Sequence, residues 1–206
     1  MPRPQSPHAK AERHLARVSP PLEALIGRVG PCTLSPMPDP YRVLVRTIVS
    51  QQLGTKAAES ISARLEALLG KAGYTPKRFA KITDTDLRAC GLSGAKVKSI
   101  RDLTARIDSG ELPIDAMDTL SDDEVATKLR QVHGIGPWSV DMFLIFCLGR
   151  PDVLPVGDFG LRAAVRDMFT MSDLPSVADL QTLAEPWRPF RTIATWYCWR
   201  YRDGQG

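Results

Sequence analysis

The sequence predicts an all-α protein, and three observations carry that prediction. No run alternates apolar and polar side chains over enough residues to make a half-buried strand, and every long segment repeats its apolar residues at helical spacing. Good N-caps stand ahead of these segments, among them Ser93, Ser121, Asp158 and Ser176. Pro and Gly punctuate the gaps, most densely at Pro31, Pro36, Pro38 and Pro40.

Taken in order, residues 1–18 read as a Pro-rich basic tail with Arg3, Lys10, Arg13 and Arg17, ending in at most a short helix. Ser19-Pro20-Pro21 opens a helix that stops near Gly30, and residues 31–40 form an irregular connector. A helix spans residues 41–53 on Val43, Leu44, Thr47 and Ile48. Gly54 stops it, and Thr55 caps the next, whose buried stripe is Ile61, Leu65, Leu68 and Leu69. A short helix over residues 83–90 follows. Ser93 then caps a helix with Val97, Ile100, Leu103 and Ile107 on its core face, which leaves Lys96, Lys98 and Arg101 on a solvated face.

Ser121-Asp122-Asp123-Glu124 is a capping box. It opens a helix that runs into His133-Gly134-Ile135-Gly136-Pro137. The glycines permit a tight turn, and Pro137 suits the first position of the helix beyond, so residues 121–148 read as a helix-hairpin-helix. Backbone N–H groups at such a turn suit a phosphate, although a plain turn between helices would use the same residues. The second hairpin helix is apolar nearly all round, which makes it a buried centre. Its one charge, Asp141, reads as half of an ion pair or as a polar group near a pocket. Asp158 follows Pro155-Val156-Gly157 and caps the next helix, and a helix N-terminus keeps a carboxylate ionised. A further helix over residues 176–183 precedes a terminal one that carries Trp196, Tyr197 and Trp199.

Composition sets broad bounds. The chain has 206 residues, 43% hydrophobic and 24% charged, as in ordinary soluble globular proteins. A net charge of +4 leans toward an anionic partner. Cys32, Cys90, Cys147 and Cys198 are scattered with no C-x-x-C, which suggests neither zinc nor an iron–sulfur cluster and fits a reducing, cytoplasmic setting. No apolar run reaches transmembrane length, so no membrane partner is expected, and nothing demands more than a monomer.

The hairpin Gly134-Ile135-Gly136 and the loop Val156-Gly157-Asp158 resemble the helix-hairpin-helix (HhH-GPD) DNA glycosylases, and within them the 3-methyladenine DNA glycosylase II branch without its extra N-terminal domain. Ser50-Gln51-Gln52-Leu53 with Lys56-Ala57-Ala58 is similar to that family's minor-groove loop, and Trp187-Arg188-Pro189 with Trp196-Tyr197 to its C-terminal segment. The resemblance covers residues 20–201 with the strings in family order. It implies two helical subdomains with a central cleft, one of about residues 41–149 and the other of residues 19–40 plus 150–206. It implies double-stranded DNA as partner and excision of an alkylated purine, with Asp158 as the catalytic carboxylate. Trp138, Met142, Phe159 and Trp196 would line the base pocket. Ser50, Gln51, Gln52, Leu53, Thr55, Lys56 and His133, Gly134, Ile135 and Gly136 would meet DNA. Gln52 and Leu53 are the two candidates for the wedge that fills the space of a flipped nucleotide. Leu is the better wedge by chemistry, and Gln52 fits the register better.

Lyase branches carry a lysine where this chain has Trp138, so the resemblance implies a monofunctional hydrolase that needs no cofactor. Family members hold a sodium or potassium ion at the hairpin, and the matching carbonyls are those of Arg130, Val132 and Gly134. Two alternatives stand beside this reading: a glycosylase for another damaged base, and a non-catalytic helix-hairpin-helix module.

Overall fold

The structure, a computed structural model, describes residues 6–205. Arg3, at the start of the expected tail, lies outside them. Every regular element among the described residues is helical, as the missing alternation predicted. In chain order the α-helices are α1 (Ala9–Val18), α2 (Pro20–Val29), α3 (Pro40–Ser50), α4 (Thr55–Leu69), α5 (Pro76–Phe79), α6 (Asp84–Ala89), α7 (Gly94–Asp108), α8 (Asp122–Leu129), α9 (Pro137–Phe146), α10 (Phe159–Met168), α11 (Val177–Ala184) and α12 (Arg191–Arg200). They fall into two compact units, one of residues 37–148 and one of residues 1–36 with 149–206.

In the unit of residues 37–148, α9 packs against α3 and α8, and α3 packs against α4 and α7. The all-round apolarity of α9 has the expected result: Val140, Met142, Phe143, Leu144 and Ile145 are all buried. Phe143 is fully buried, and burying one such side chain stabilises by roughly 1.5–3 kcal/mol. The caps read from sequence are present at Ser93, which accepts from Lys96 N, and at Ser121, whose capping box with Glu124 is complete. Met37, at the start of this unit, donates its N–H to the Phe146 carbonyl at 2.8 Å and ties the connector to the end of α9.

Several boundaries differ from the sequence reading. The helix expected to reach Leu53 ends at Ser50. Gln51 leaves helical backbone, and Gln52 takes a left-handed φ of 56°, which a long side chain rarely adopts. Thr55 is not a cap but the first residue of α4, with Gly54 at the N-cap and no side-chain cap. Lys96 and Arg101 are only half-exposed, and both are tied down. Lys96 Nζ donates to the Val49 carbonyl at 2.8 Å and satisfies the end of α3, and desolvation there lowers its pKa. Arg101 donates to the carbonyls of Phe79 and Ile82 and pairs with Asp84. These partners are distant in sequence, so local periodicity could not reveal them.

In the other unit, α10 and α2 pack on α12, and α1 packs on α2. Trp187, Tyr197, Leu15, Leu22, Leu25 and Leu161 belong to its core. The basic stretch before residue 19 is therefore not a tail over its helical part. Lys10, Arg13 and Arg17 are exposed, but Ala11 and Leu15 on the opposite side are buried. Tyr197 Oη shares its one proton between the Gly30 carbonyl at 2.8 Å and Glu12 Oε1 at 3.2 Å, which links α12, α1 and the end of α2.

Candidate active site

Asp158 is the N-cap of α10, as its place after Val156-Gly157 implied. Its Oδ1 accepts the Leu161 N–H at 2.7 Å, in the first turn of the helix. The loop before it is folded by two short-range bonds, Val156 N–H to the Leu154 carbonyl and Asp158 N–H to the Pro155 carbonyl, each 2.8 Å. Upstream, the chain is stapled to the start of α12. Thr192 Oγ1 donates to the Arg150 carbonyl at 2.7 Å and accepts the Val153 N–H at 3.0 Å. Arg191 Nε donates to Asp152 Oδ1 at 2.8 Å, and Arg188 Nη1 to Asp152 Oδ2 at 2.7 Å. Burial opposes ionisation of Asp152, but the bonds from Arg191 and the charges of both arginines outweigh it and hold the carboxyl below the usual range. Arg188, noted in sequence only as part of a family string, and Arg191 thus fix the approach to Asp158.

A second donor reaches Asp158 that the sequence reading had not singled out. Trp199 Nε1 donates to the same Oδ1 at 3.0 Å. One signal was available: Trp199 stands three residues after Trp196, so both indoles leave neighbouring positions on α12.

The pocket candidates are divided between the units. Phe159, beside Asp158, is 67% exposed, so its ring is presented to solvent at the start of α10. Trp196 is buried in its unit's core, edge-on to Tyr197, with the Arg200 guanidinium 5.5 Å from its ring centroid. Trp138, half-buried, and Met142, buried, belong to α9 of the other unit.

The DNA-facing candidates of residues 37–148 form one connected arrangement. Gln51 Nε2 donates to the Gly134 carbonyl and to Ser139 Oγ, each at 2.9 Å, which joins the loop after α3 to the hairpin. Ser50 Oγ donates back to the Arg46 carbonyl at 2.9 Å. Gln51 and Ser50 therefore shape the loop from within. Leu53, 39% exposed, and Gln52, held in its left-handed turn, stand at its tip, and Thr55 and Lys56 are exposed just beyond.

On the hairpin, the His133 N–H is taken by Asp102 Oδ2 at 2.7 Å, and the Ile135 N–H by the Val132 carbonyl at 3.1 Å. Desolvation would raise the Asp102 pKa, but the His133 N–H and Arg106 lower it further. Among the described residues nothing accepts the N–H groups of Gly134 and Gly136, which leaves both donors open at the turn. Gly134 has a φ of 77° and no room for a side chain, since a Cβ there would collide with Ser99 Oγ.

The carbonyls of Arg130, Val132 and Gly134 fit a monovalent cation by donor chemistry. All three are hard oxygens on one short turn. The two that already accept bonds, Val132 from Ile135 and Gly134 from Gln51, each keep a second lone pair.

An all-α scaffold with a Gly-x-Gly-Pro hairpin and a doubly anchored, helix-capping Asp defines a helix-hairpin-helix protein. The family model described as HhH-GPD superfamily base excision DNA repair protein matches residues 45–189, and the chain belongs to that superfamily. It is 31% identical to the alkylbase DNA glycosidase-like protein mag2 of Schizosaccharomyces pombe, over 97% of this chain and 98% of that protein. It is 34% identical to DNA-3-methyladenine glycosylase 1 of the same organism, over 93% of this chain and 86% of that one. The solved structure of the S. pombe 3-methyladenine DNA glycosylase Mag1 in complex with abasic DNA superposes with a TM-score of 0.86 at 33% identity, covering 94% of this chain and 97% of that one.

Proposed function

We propose that the protein is a base-excision-repair glycosylase that hydrolyses the N-glycosidic bond of N-alkylated purines of the 3-methyladenine type in double-stranded DNA, leaving an abasic site. The observation that carries the proposal is the anchored carboxylate of Asp158 at the start of α10. The names of the full-length relatives support the substrate class.

The chemistry follows from the lesion. Alkylation at a ring nitrogen makes the purine cationic, so it leaves without a strong general acid. As the C1′–N bond breaks, its electron pair passes to the purine and neutralises the ring. Positive charge then grows on the sugar, and a fixed carboxylate at Asp158 stabilises it. Water bonds to C1′ and its proton passes to solvent. The base must first be extruded from the duplex. Phe159, exposed beside Asp158, would offer its face to a cationic ring, and Leu53 or Gln52 would fill the vacated stack.

The N–H groups of Gly134 and Gly136 would hold a phosphate without reading sequence. A sodium or potassium ion on the Arg130, Val132 and Gly134 carbonyls would add positive charge beside that phosphate. Trp138 offers no amine where lyase branches carry a lysine, which supports monofunctional hydrolysis. All these residues lie on one chain, so a monomer suffices. Four free, buried cysteines accord with a reducing, cytoplasmic compartment. No helix among the described residues is long and apolar enough to cross a membrane.

The test is abasic-site yield from duplexes carrying alkylated purines, with wild type and Asp158→Asn in parallel. Release by wild type and a loss of about 10²–10³-fold in the variant, with DNA binding retained, is the expected result. Binding without release by wild type would move the assignment to another lesion or to a non-catalytic module. A borohydride-trappable adduct would refute the monofunctional reading.

A further inference from the structure

We infer that Trp199 is a positioning residue for Asp158, holding its carboxylate in the one orientation useful to the reaction. The inference rests on the reading of Asp158 as the catalytic carboxylate and adds a residue to it.

A side-chain carboxylate has two rotatable bonds, and a single N-cap bond leaves it free to pivot about the accepted hydrogen. Here Oδ1 accepts twice: from the Leu161 N–H at 2.7 Å and from Trp199 Nε1–H at 3.0 Å. The donors come from different helices, α10 and α12, so they constrain the group from two directions. Bonds to an ionised acceptor are roughly twice as strong as neutral ones. The indole is itself held, because Trp199 is half-buried on α12 and Cys198 and Tyr197 beside it are fully buried. Indole N–H can only donate, so the pair has one polarity and cannot invert.

Gly160 supplies an independent observation. A Cβ at this position would lie 3.2 Å from Asp158 Oδ1 and 3.5 Å from Trp199 Cδ1. No left-handed backbone requires glycine there, and within a helix alanine is favoured over glycine by about 0.8–1 kcal/mol. The sequence thus carries a helix-weakening residue where a methyl group would press on the Asp158–Trp199 pair.

The experiment measures single-turnover base release from a duplex containing an N-alkylated purine, corrected for spontaneous loss, together with affinity for an abasic duplex. It compares wild type, Trp199→Phe, Gly160→Ala, Asp158→Asn and Asp158→Asn/Trp199→Phe. Trp199→Phe keeps the ring and removes the donor. Its rate should fall about 10- to 100-fold, the scale of a misplaced catalytic group, with affinity within about twofold of wild type. In the Asp158→Asn background the same change should cost less than about twofold, because Trp199 acts through the carboxylate alone. Gly160→Ala should lower the rate while its melting temperature stays level or rises, an outcome that loss of folding cannot produce.

A Trp199→Phe rate within about twofold of wild type would overturn the inference and leave the role of Asp158 standing. So would an equal fractional loss in both backgrounds, which marks a merely structural residue. If wild type releases no base, or Asp158→Asn keeps full rate, the reading of Asp158 fails first and takes this inference with it. If Trp199→Phe unfolds, Gly160→Ala decides: an unchanged rate there overturns the proposal.

Discussion

The Gly134 carbonyl accepts the Gln51 side-chain amide at 2.9 Å, which fastens the loop after α3 to the turn between α8 and α9. The second amide bond, to Ser139 Oγ at the start of α9, leaves Gln51 little freedom. Two segments read separately as DNA-facing are therefore one mechanical piece. Gln51→Ala removes both bonds and should weaken affinity for an abasic duplex by about 5- to 10-fold, as measured by fluorescence anisotropy. Gln51→Glu should weaken it more, because a carboxylate cannot donate to a carbonyl and would repel a nearby phosphate. Equal affinities for wild type and both variants would show that the loop and hairpin need no tie.

Gly134 and Gly136 should respond differently to alanine. At Gly134 the φ is 77° and a Cβ would collide with Ser99 Oγ; at Gly136 nothing lies within 4 Å and φ is −103°. Left-handed backbone alone costs a non-glycine residue roughly 1–2 kcal/mol. Gly134→Ala should therefore lower the melting temperature by about 2–8 °C, at roughly 2–4 °C per kcal/mol for a chain of this size. Gly136→Ala should move it far less. Adding Ser99→Ala to Gly134→Ala should recover the steric part but not the backbone part. Equal melting temperatures for the two glycine variants would contradict the assignment.

The Asp152 clamp predicts an acid-dependent stability. The folded pKa of Asp152 lies below its unfolded value, so its contribution is complete above the unfolded pKa near 4 and is lost as pH falls through the folded value. Asp152→Asn should cost about 1.5–3 kcal/mol at pH 7, the worth of hydrogen bonds to a charged group. The gap between variant and wild type should close below about pH 4 in denaturant titrations. A gap that stays constant down to pH 2.5 would rule out the carboxylate as its source.

The thiols should be silent in the native state. Burial pushes Cys32 and Cys198 up to about 12 and Cys147 up to about 11, and raises Cys90 as well. Only the thiolate reacts with a disulfide reagent, so native protein at pH 8 should show no rapid thiol titration, and denatured protein should show four thiols. Rapid reaction of any one in the folded protein would mark an opening that the packing does not suggest.

Much of this was legible in the amino-acid order, because caps, glycine turns and helical spacing act over three or four residues. Ser121 with Glu124, Ser93 with Lys96, and Asp158 with Leu161 are such local pairs, and each was read where it forms. Ala11 and Leu15 show the limit of local reading: the basic residues around them pointed to a tail, and only packing on α2 shows them as core.

The sequence by itself determined the helical class, the hairpin turn and the place of Asp158 at a helix start, since each depends on neighbours along the chain. Tertiary structure alone decided that Gln51 holds Gly134 and that Lys96 ends α3. It alone decided that Asp102 takes a hairpin N–H, and that Trp199 meets Asp158 from another helix. Those partners stand 83, 47, 31 and 41 residues apart, where no periodicity reaches. A side-chain hydrogen bond over such a separation exists only once packing has brought two backbones together, and its energy comes from geometry that a linear pattern does not contain.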